Sequence, residues 1–215
     1  MDSLLNPVFL IVLVVLVFSA ILHEIAHGYV AERLGDPTAR LLGRLTLNPL
    51  PHIDLFLTII LPLLLILSHT GIIFGGAKPV PVDPYNLKDG RKDMALVSLA
   101  GPATNIALAL IATALFKFVG LNSTNLFLIF LNVFLLLVIK VNLSLAIFNL
   151  LPIPPLDGSK IFALILPEKL ADSYLSLSSF GAIILLLLLA FPIGSFSLMT
   201  FVSTIFNFSL RILGL

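Results

Sequence analysis

The chain has 215 residues, of which 59% are hydrophobic and 11% are charged, with a net charge of +1 and no cysteine. A water-soluble core of this size cannot bury so much apolar surface, so the composition predicts an integral membrane protein. The scattered Lys and Arg residues argue against a nucleic-acid partner. Without thiols, disulfides and cysteine-ligated metals are excluded, and any metal must be held by nitrogen and oxygen ligands.

The first apolar run predicts a retained transmembrane helix from residue 7 to residue 34. No Lys or Arg precedes the run and no cleavage pattern of small residues follows it, which distinguishes it from a signal peptide. At 1.5 Å per residue this helix is about 42 Å long, enough to cross the hydrocarbon core and emerge from it.

An ionisable cluster lies inside this helix. His23 and His27 are four residues apart, so they project from one face with the spacing that two imidazoles need to bind one Zn²⁺. Glu24 lies about 100° around the helix from His23, where its carboxylate can reach a metal-bound water. Charges in lipid are costly unless they are paired. The H-E-x-x-H arrangement therefore predicts a metal site.

Later apolar runs predict spans at residues 53–74, 93–119 and 125–150, while residues 174–213 predict two short spans or partly re-entrant segments. No repeat or soluble domain interrupts these runs. The expected fold is an all-α polytopic membrane protein with about five to six transmembrane helices, forming a single domain over residues 1–215. Its halves do not resemble each other, which argues against an inverted-repeat transporter.

His52 opens the predicted second span, on the side of the membrane at which the first helix exits. Direct contact with the metal site and an interfacial or indirect role both stay open for it. Gly101 and Asn105 belong to the sequence AGPATN, in a helix with many small residues. This composition predicts close packing and interhelical hydrogen bonds, with an indirect role of Asn105 at the site as the alternative.

A hydrolytic zinc site usually takes three protein ligands, so the first helix supplies too few. Asp157 is the favoured third ligand. Three prolines between residues 152 and 155 forbid a continued helix, and Gly158 permits the chain to turn back towards the bundle. The alternative is that Asp157 caps a short helix over residues 159–166.

Three motifs together resemble the site-2 proteases, which are zinc metalloproteases that cut within membranes. The first is HEIAH at residues 23–27. The second is similar to the family's G-x-x-x-N pattern, at residues 101–105, and the third is similar to N-x-x-P-x-x-x-x-D-G, at residues 149–158. The resemblance covers residues 7 to about 170 and is greatest to the compact branch of the family, which lacks PDZ and CBS domains.

The resemblance implies a role for each matching position. His23, His27 and Asp157 would bind one zinc ion, Glu24 would act as general acid and base, and Asn149 would position the substrate or its polarised carbonyl oxygen. The substrate would be a transmembrane protein, cut in regulated intramembrane proteolysis. The alternatives are a membrane zinc transporter, for which a glutamate between the ligands has no evident use, and a catalytically inactive relative, which would normally lack Glu24 or a ligand.

An intramembrane protease must hold its substrate extended, because a peptide bond in a helix is shielded. In residues 76–84, Pro79 and Pro81 fall on one edge of an extended chain, so the N–H groups of Lys78, Val80 and Val82 lie on the other edge. We therefore predict a short re-entrant strand or hairpin that docks substrate by strand addition. A surface loop is the alternative.

The orientation in the membrane is not decided by counting charges. Arg33, Arg40 and Arg44 favour a cytoplasmic first loop, but the Lys and Arg residues at positions 78–92 argue about as strongly for the next connection. The family resemblance favours the first loop inside. A multi-pass protein of the cell membrane is expected.

Overall fold

The computed structural model describes residues 7–54, 77–120 and 125–215, and this part of the chain is predominantly helical. Its α-helices are α1 (Pro7–Leu34), α2 (Thr38–Leu41), α3 (Arg91–Val119), α4 (Leu126–Asn149), α5 (Asp157–Phe162), α6 (Glu168–Ser176), α7 (Ser178–Ala190) and α8 (Leu198–Ile212). Short 3-10 turns lie at Leu50–His52, Pro84–Asn86 and Ala163–Ile165.

The helices α1, α3 and α4 are long and apolar enough to cross a membrane. They match the predicted spans 7–34, 93–119 and 125–150 to within about two residues at either end, a match that follows from length and hydropathy alone. α1 ends at Leu34 and is followed by Gly35, whose φ of +117° is a conformation that favours glycine. Asn125 caps α4 by accepting a hydrogen bond from the N–H of Phe127 at 2.9 Å.

The C-terminal part does not confirm the predicted number of five to six spans. The segments Glu168–Gly181 and Ile183–Ala190, from α6 and α7, meet at a bend of 75° and pass for one span only together. α8 is apolar but shorter than a span. The predicted span at residues 53–74 lies almost entirely outside the described residues, so it stays a prediction.

The predicted re-entrant strand is not confirmed either. Residues 77–83 form neither helix nor strand, and the described part of the chain contains only an isolated bridge between Ile193 and Phe196. We call residues 77–83 the strap. The N–H of Lys78 donates to the carbonyl oxygen of His52 at 2.7 Å. The strap therefore lies against the connection that follows α1.

α3 lies at the centre of the bundle and packs against both α1 and α4. Small residues on its inner face, among them Gly101, Ala109 and Ala112, are buried. Further along α3, a hydrophobic cluster joins it to Leu135 and Ile139 of α4. Small side chains let neighbouring backbones approach closely, so the close packing predicted for this helix is confirmed.

Candidate metal centre

His23 and His27 lie one turn apart on α1, and both side chains are buried. The Nε2 atoms of both rings lie 3.2 Å from a single atom, Oδ2 of Asp157. The ring centroids are 4.6 Å apart and the rings are nearly perpendicular, at 86°. The fold thus brings together the three side chains that the sequence proposed as ligands, although Asp157 is 134 residues away from His23.

Asp157 is the first residue of α5, which packs closely against the end of α4. A Cβ on Gly158 would lie 2.2 Å from the carbonyl oxygen of Leu150, so this close approach requires glycine. The carboxyl is buried and brings Oδ2 next to the Nε2 atoms of both histidines, where a carboxylate is suited to bind a cation.

These three atoms fit a zinc ion. Ligand atoms of a tetrahedral zinc lie about 2.0–2.1 Å from the metal, which puts them about 3.3 Å from one another. The two Nε2–Oδ2 distances of 3.2 Å match that separation. Gly101 of α3 provides the space, because a Cβ there would lie 2.5 Å from the Nε2 atoms of both His23 and His27. Two imidazoles and one carboxylate are also a usual donor set of catalytic zinc sites.

The second nitrogen of each imidazole is held by α3. Nδ1 of His23 donates to Oδ1 of Asn105 at 2.6 Å, and Nδ1 of His27 donates to the carbonyl oxygen of Val97 at 2.7 Å. Since both acceptors lack a hydrogen to give, each ring carries its hydrogen on Nδ1 and turns the lone pair of Nε2 towards Asp157. This is the tautomer that a metal ligand needs.

The hydrogen bond to His23 continues through the bundle. The side-chain amide of Asn105 donates to Oδ1 of Asn142 at 2.8 Å, and the amide of Asn142 donates to Oγ of Ser19 at 2.9 Å. Asn105 and Asn142 are fully buried. This series of hydrogen bonds starts and ends on α1 and passes through α3 and α4. It therefore fixes the orientation of the His23 ring relative to all three helices.

Glu24 is half-buried beside the two histidines, and one ligand atom of each of the three residues lies within 4.8 Å of the others. Its Oε2 accepts a hydrogen bond from the backbone N–H of Val80 at 2.7 Å. One carboxylate oxygen of Glu24 is therefore held by the strap, while the residue itself lies beside the two histidines.

The structure gives Asn149 and His52 hydrogen-bond partners other than the three proposed ligands. Asn149, at the end of α4, donates its side-chain amide to the carbonyl oxygen of Leu145 at 3.0 Å, within its own helix. His52 is buried, with Nε2 3.0 Å from the carbonyl oxygen of Thr46. Its Nδ1 has no hydrogen-bond partner among the described residues. Neither side chain contacts His23 or His27 through a hydrogen bond, and their predicted roles stay predictions.

The strap contains the three amides that the strand hypothesis assigned to substrate, and two of them already have an acceptor. The N–H of Lys78 already donates to His52, and that of Val80 donates to Glu24. The amide of Val82 has no acceptor among the described residues. A substrate strand paired at Val80 would have to displace Glu24, and docking at Val80 and Val82 stays a prediction.

Sequence reasoning missed Asn142, Arg44 and Gly28. An amide within the apolar run of α4 was a visible signal, because an unpaired polar group in a span is costly. Arg44 was interpreted only as a charge that reports orientation, yet its guanidinium is buried and donates to the strap. Nothing in the sequence alone indicates that Gly28, next to His27, lies against the strap.

A known protein family and several individual proteins are similar to this chain in sequence. The model of the family described as peptidase family M50 matches residues 8–130 and 121–189. The chain is 40% identical over 188 residues to "Putative zinc metalloprotease YwhC" of Bacillus subtilis, an alignment that covers 86% of this chain and 82% of that protein. No solved structure matches the chain.

More distant relatives are the proteins named "Putative zinc metalloprotease Rip2" of Mycobacterium tuberculosis and Mycolicibacterium smegmatis. Each is 36% identical over 157 residues, which covers 70% of this chain and 55% of the relative. The chain thus matches about half the length of these proteins. Since the family model matches most of the sequence and the Bacillus relative aligns over more than four-fifths of both proteins, the resemblance to the site-2 proteases is confirmed, and the chain belongs to peptidase family M50.

Proposed function

We propose that this protein is an intramembrane zinc metalloendopeptidase that hydrolyses peptide bonds in or near the transmembrane segments of membrane-protein substrates, in regulated intramembrane proteolysis. The observation that carries the proposal is the convergence of His23, His27 and Asp157 next to Glu24, on helices apolar enough to lie in a bilayer. Membership of a peptidase family and relatives named as zinc metalloproteases support it.

One zinc ion would be held by Nε2 of His23, Nε2 of His27 and Oδ2 of Asp157. When bound, the ion supplies Lewis-acid activation of the scissile carbonyl and of water. Glu24 is the general base and acid: it takes a proton from the attacking water and gives it to the leaving amine. No nucleophilic side chain is required.

Further residues of the chain position these groups. Asn105 and the Val97 carbonyl keep the hydrogens of both imidazoles on Nδ1. Asn149, at the end of α4, would donate its amide to the substrate carbonyl oxygen after releasing the carbonyl of Leu145. Both actions need only side-chain amides or backbone carbonyls, which remain uncharged in a membrane.

The proposal includes a multi-pass topology in the cell membrane, in which α1, α3 and α4 each cross the bilayer. The substrate enters as a transmembrane segment and lies extended near the strap, because a peptide bond within a helix is shielded. Neither of the competing functions, zinc transport or a catalytically inactive relative, requires Glu24. The chain nevertheless has Glu24 together with all three proposed ligands.

The test is to incubate the purified protein with a panel of single-span membrane proteins, beside the Glu24→Gln variant. We expect one bound zinc ion per chain in both proteins and cleavage only by the wild type, because the amide of Gln cannot accept the proton. Zinc with no cleavage of any substrate by the wild type would favour transport or inactivity. Cleavage that survives in Glu24→Gln would overturn the mechanism.

A further inference from the structure

The strap meets Glu24 at one backbone amide. The N–H of Val80 donates to Oε2 of Glu24 at 2.7 Å, and the Val80 side chain is buried. Gly28 lies one helical turn after Glu24, and a Cβ added there would lie 3.0 Å from Cγ1 of Val80. The strap therefore rests directly on the face of α1 that carries Glu24.

Arg44 holds the strap immediately before this amide. Its Nη2 donates to the carbonyl oxygens of Lys78 and Pro79 at 2.7 and 3.3 Å. The residue is only 8% exposed, its Nε has no hydrogen-bond partner, and no carboxylate of the described residues forms an ion pair with it. Burying a guanidinium without a counter-charge costs free energy of folding. The burial of Arg44 against two carbonyl oxygens of the strap therefore needs a functional or structural reason.

The strap is fixed on the other side of Val80 as well. Oδ2 of Asp36 accepts the N–H of Asp83 at 2.7 Å, and Oδ1 of Asp36 accepts the side-chain amide of Asn86 at 3.0 Å. Asp36 is fully buried. Two buried ionisable side chains thus anchor the strap on either side of the one amide that contacts Glu24.

We propose that Arg44 is a positioning residue for Glu24: it fixes the carbonyls of Lys78 and Pro79 and so aims the N–H of Val80 at Oε2. The hydrogen bond holds the carboxylate in one rotamer and turns Oε1 towards the metal ligands. The inference rests on the proposed function, since Glu24 works there as general acid and base. It assigns the amide of Val80 to the enzyme's own carboxylate rather than to substrate.

The two assignments differ in kinetics. If Val80 orients Glu24, loss of its N–H misplaces the base and lowers kcat, while the affinity for substrate is retained. If Val80 pairs with a substrate strand, loss of the N–H weakens binding and raises KM. Val80→Pro removes the amide hydrogen. Val80→Ala is the matched control, because it shortens the side chain but keeps the amide hydrogen.

The kinetic experiment uses a single-span substrate that the wild type cleaves. We expect Val80→Pro and Arg44→Ala to lower kcat by up to about 100-fold, with KM, zinc content and Tm unchanged, as misplacement of a catalytic group does. Arg44→Lys should recover part of kcat, because an ammonium can reach one of the two carbonyls. The control Arg40→Ala removes an exposed arginine of the same connection, paired with Glu32, and should leave kcat unchanged.

Hydrogen exchange reads the contact without activity or substrate. Pro79 and Pro81 have no N–H, and the first residue of a proteolytic peptide carries a free amine, so a peptide over residues 78–82 reports on the amides of Val80 and Val82 alone. We expect faster exchange of one amide in Glu24→Ala and in Arg44→Ala, and wild-type protection in Glu24→Gln, whose side-chain oxygen still accepts. This measurement uses no Val80 variant, so it tests the contact even if Val80→Pro fails to fold.

The outcomes separate the two proposals. If the wild type cleaves no substrate, the proposed function fails, while exchange still decides whether Arg44 holds Val80 on Glu24. Equal exchange in all variants, or a raised KM with unchanged kcat, would overturn the positioning role. A lower Tm in Arg44→Ala with wild-type kcat would show that Arg44 only stabilises the fold.

Discussion

At the scale of single residues, the ring orientation of His23 depends on Asn105. We expect Asn105→Ala to weaken zinc binding about 10–100-fold, the usual effect of removing the group that orients a metal-bound histidine. The reason is that Nδ1 of His23 then loses its acceptor, and the amide of Asn142 loses its partner. Competition with a chelator of known affinity measures the change.

Asn132→Ala is the matched control for this variant. Asn132 is also a buried asparagine between helices, but its amide donates to the carbonyl oxygen of Gly120 at 2.8 Å, outside the hydrogen bonds of His23. It should lower Tm and leave zinc affinity unchanged. Equal zinc affinities in Asn105→Ala and the wild type would contradict the orienting role.

Sequence reasoning at this scale identified the proposed ligands, which the structure brings together, because their signals are local or chemically restricted. His23, Glu24 and His27 lie together in one helix. Asp157 follows a proline-rich break, and few other carboxylates of the sequence could serve as the third ligand. It did not reach the partners of those residues. Whether Asn105 contacts His23, or the amide of Val80 contacts Glu24, depends on how helices and strap pack, and side-chain spacing carries no such information.

At the scale of helices, two glycines set how closely neighbouring segments approach α1. Ala is favoured over Gly by about 1 kcal/mol inside a helix, so a change to alanine should stabilise α3 or α1 if packing allowed it. Packing does not allow it in either case. A Cβ on Gly101 of α3 would lie 2.5 Å from the Nε2 atoms of His23 and His27.

We therefore expect Gly101→Ala to abolish stoichiometric zinc binding, because the methyl group occupies the space of the metal. Gly28→Ala is the contrasting variant. Its Cβ would lie 2.7 Å from Leu45 and 3.0 Å from Val80, so it displaces the strap and not the histidines. It should retain zinc and lose cleavage. Zinc content by elemental analysis distinguishes the two, and full zinc binding in Gly101→Ala would contradict the fit.

The helices themselves were predictable to different degrees. α1, α3 and α4 are long helices of high mean hydropathy, and length with hydropathy defines such segments well despite the few polar residues within them. The sequence of the C-terminal part is compatible with two predictions, two short spans in a hairpin or partly re-entrant segments, because a break lies at residues 191–195. The 75° bend lies within α7, between Gly181 and Ile183, so it comes earlier than that break, and it has no strong signal in the sequence.

At the scale of the whole molecule, Asp36 joins the end of α1 to the strap and should make stability depend on pH. Burial raises the pKa of its carboxyl, but hydrogen bonds from Thr38, Asn86 and the N–H of Asp83 outweigh burial, and the pKa lies below the ordinary value of 3.8. A carboxylate whose pKa is lowered by folding stabilises the fold fully at pH values above its pKa in the unfolded protein. This stabilisation is lost as the pH falls through its pKa in the folded protein.

We expect Asp36→Asn to lower Tm at neutral pH, and the difference from the wild type to shrink as the pH falls below about 4. Tm is measured on detergent-solubilised, metal-free protein, so that release of zinc in acid does not contribute. Asp172→Asn, which changes an exposed carboxylate of α6, is the control and should follow the wild type. A difference that stays constant down to the lowest pH would contradict the assignment.

The fold also changes how the charges of the two polar connections are counted. Counting from the sequence treats the connections at residues 35–52 and 75–92 as if they lay on opposite sides of the membrane. In the structure Arg44 contacts Lys78 and Asp36 contacts Asp83, so both connections lie at one end of the bundle. Arg91 ties α5 and the following turn to the same end through the carbonyls of Ala163 and Leu166. Most of the twelve Lys and Arg residues therefore lie at this end: Arg33, Arg40, Arg44, Lys78, Lys88, Arg91, Lys92, Lys160 and Lys169.

Because positive charge accumulates on the cytosolic side, this end of the bundle is expected to face the cytosol. The chain has no cysteine, so single cysteines report orientation without background. Tyr85→Cys, 97% exposed beside the strap, should react with a membrane-impermeant maleimide only after bacterial cells expressing the protein are permeabilised. Leu126→Cys, 82% exposed at the opposite end, should react with intact cells. The reverse pattern would place the metal centre nearer the outside and leave the charge distribution without an explanation.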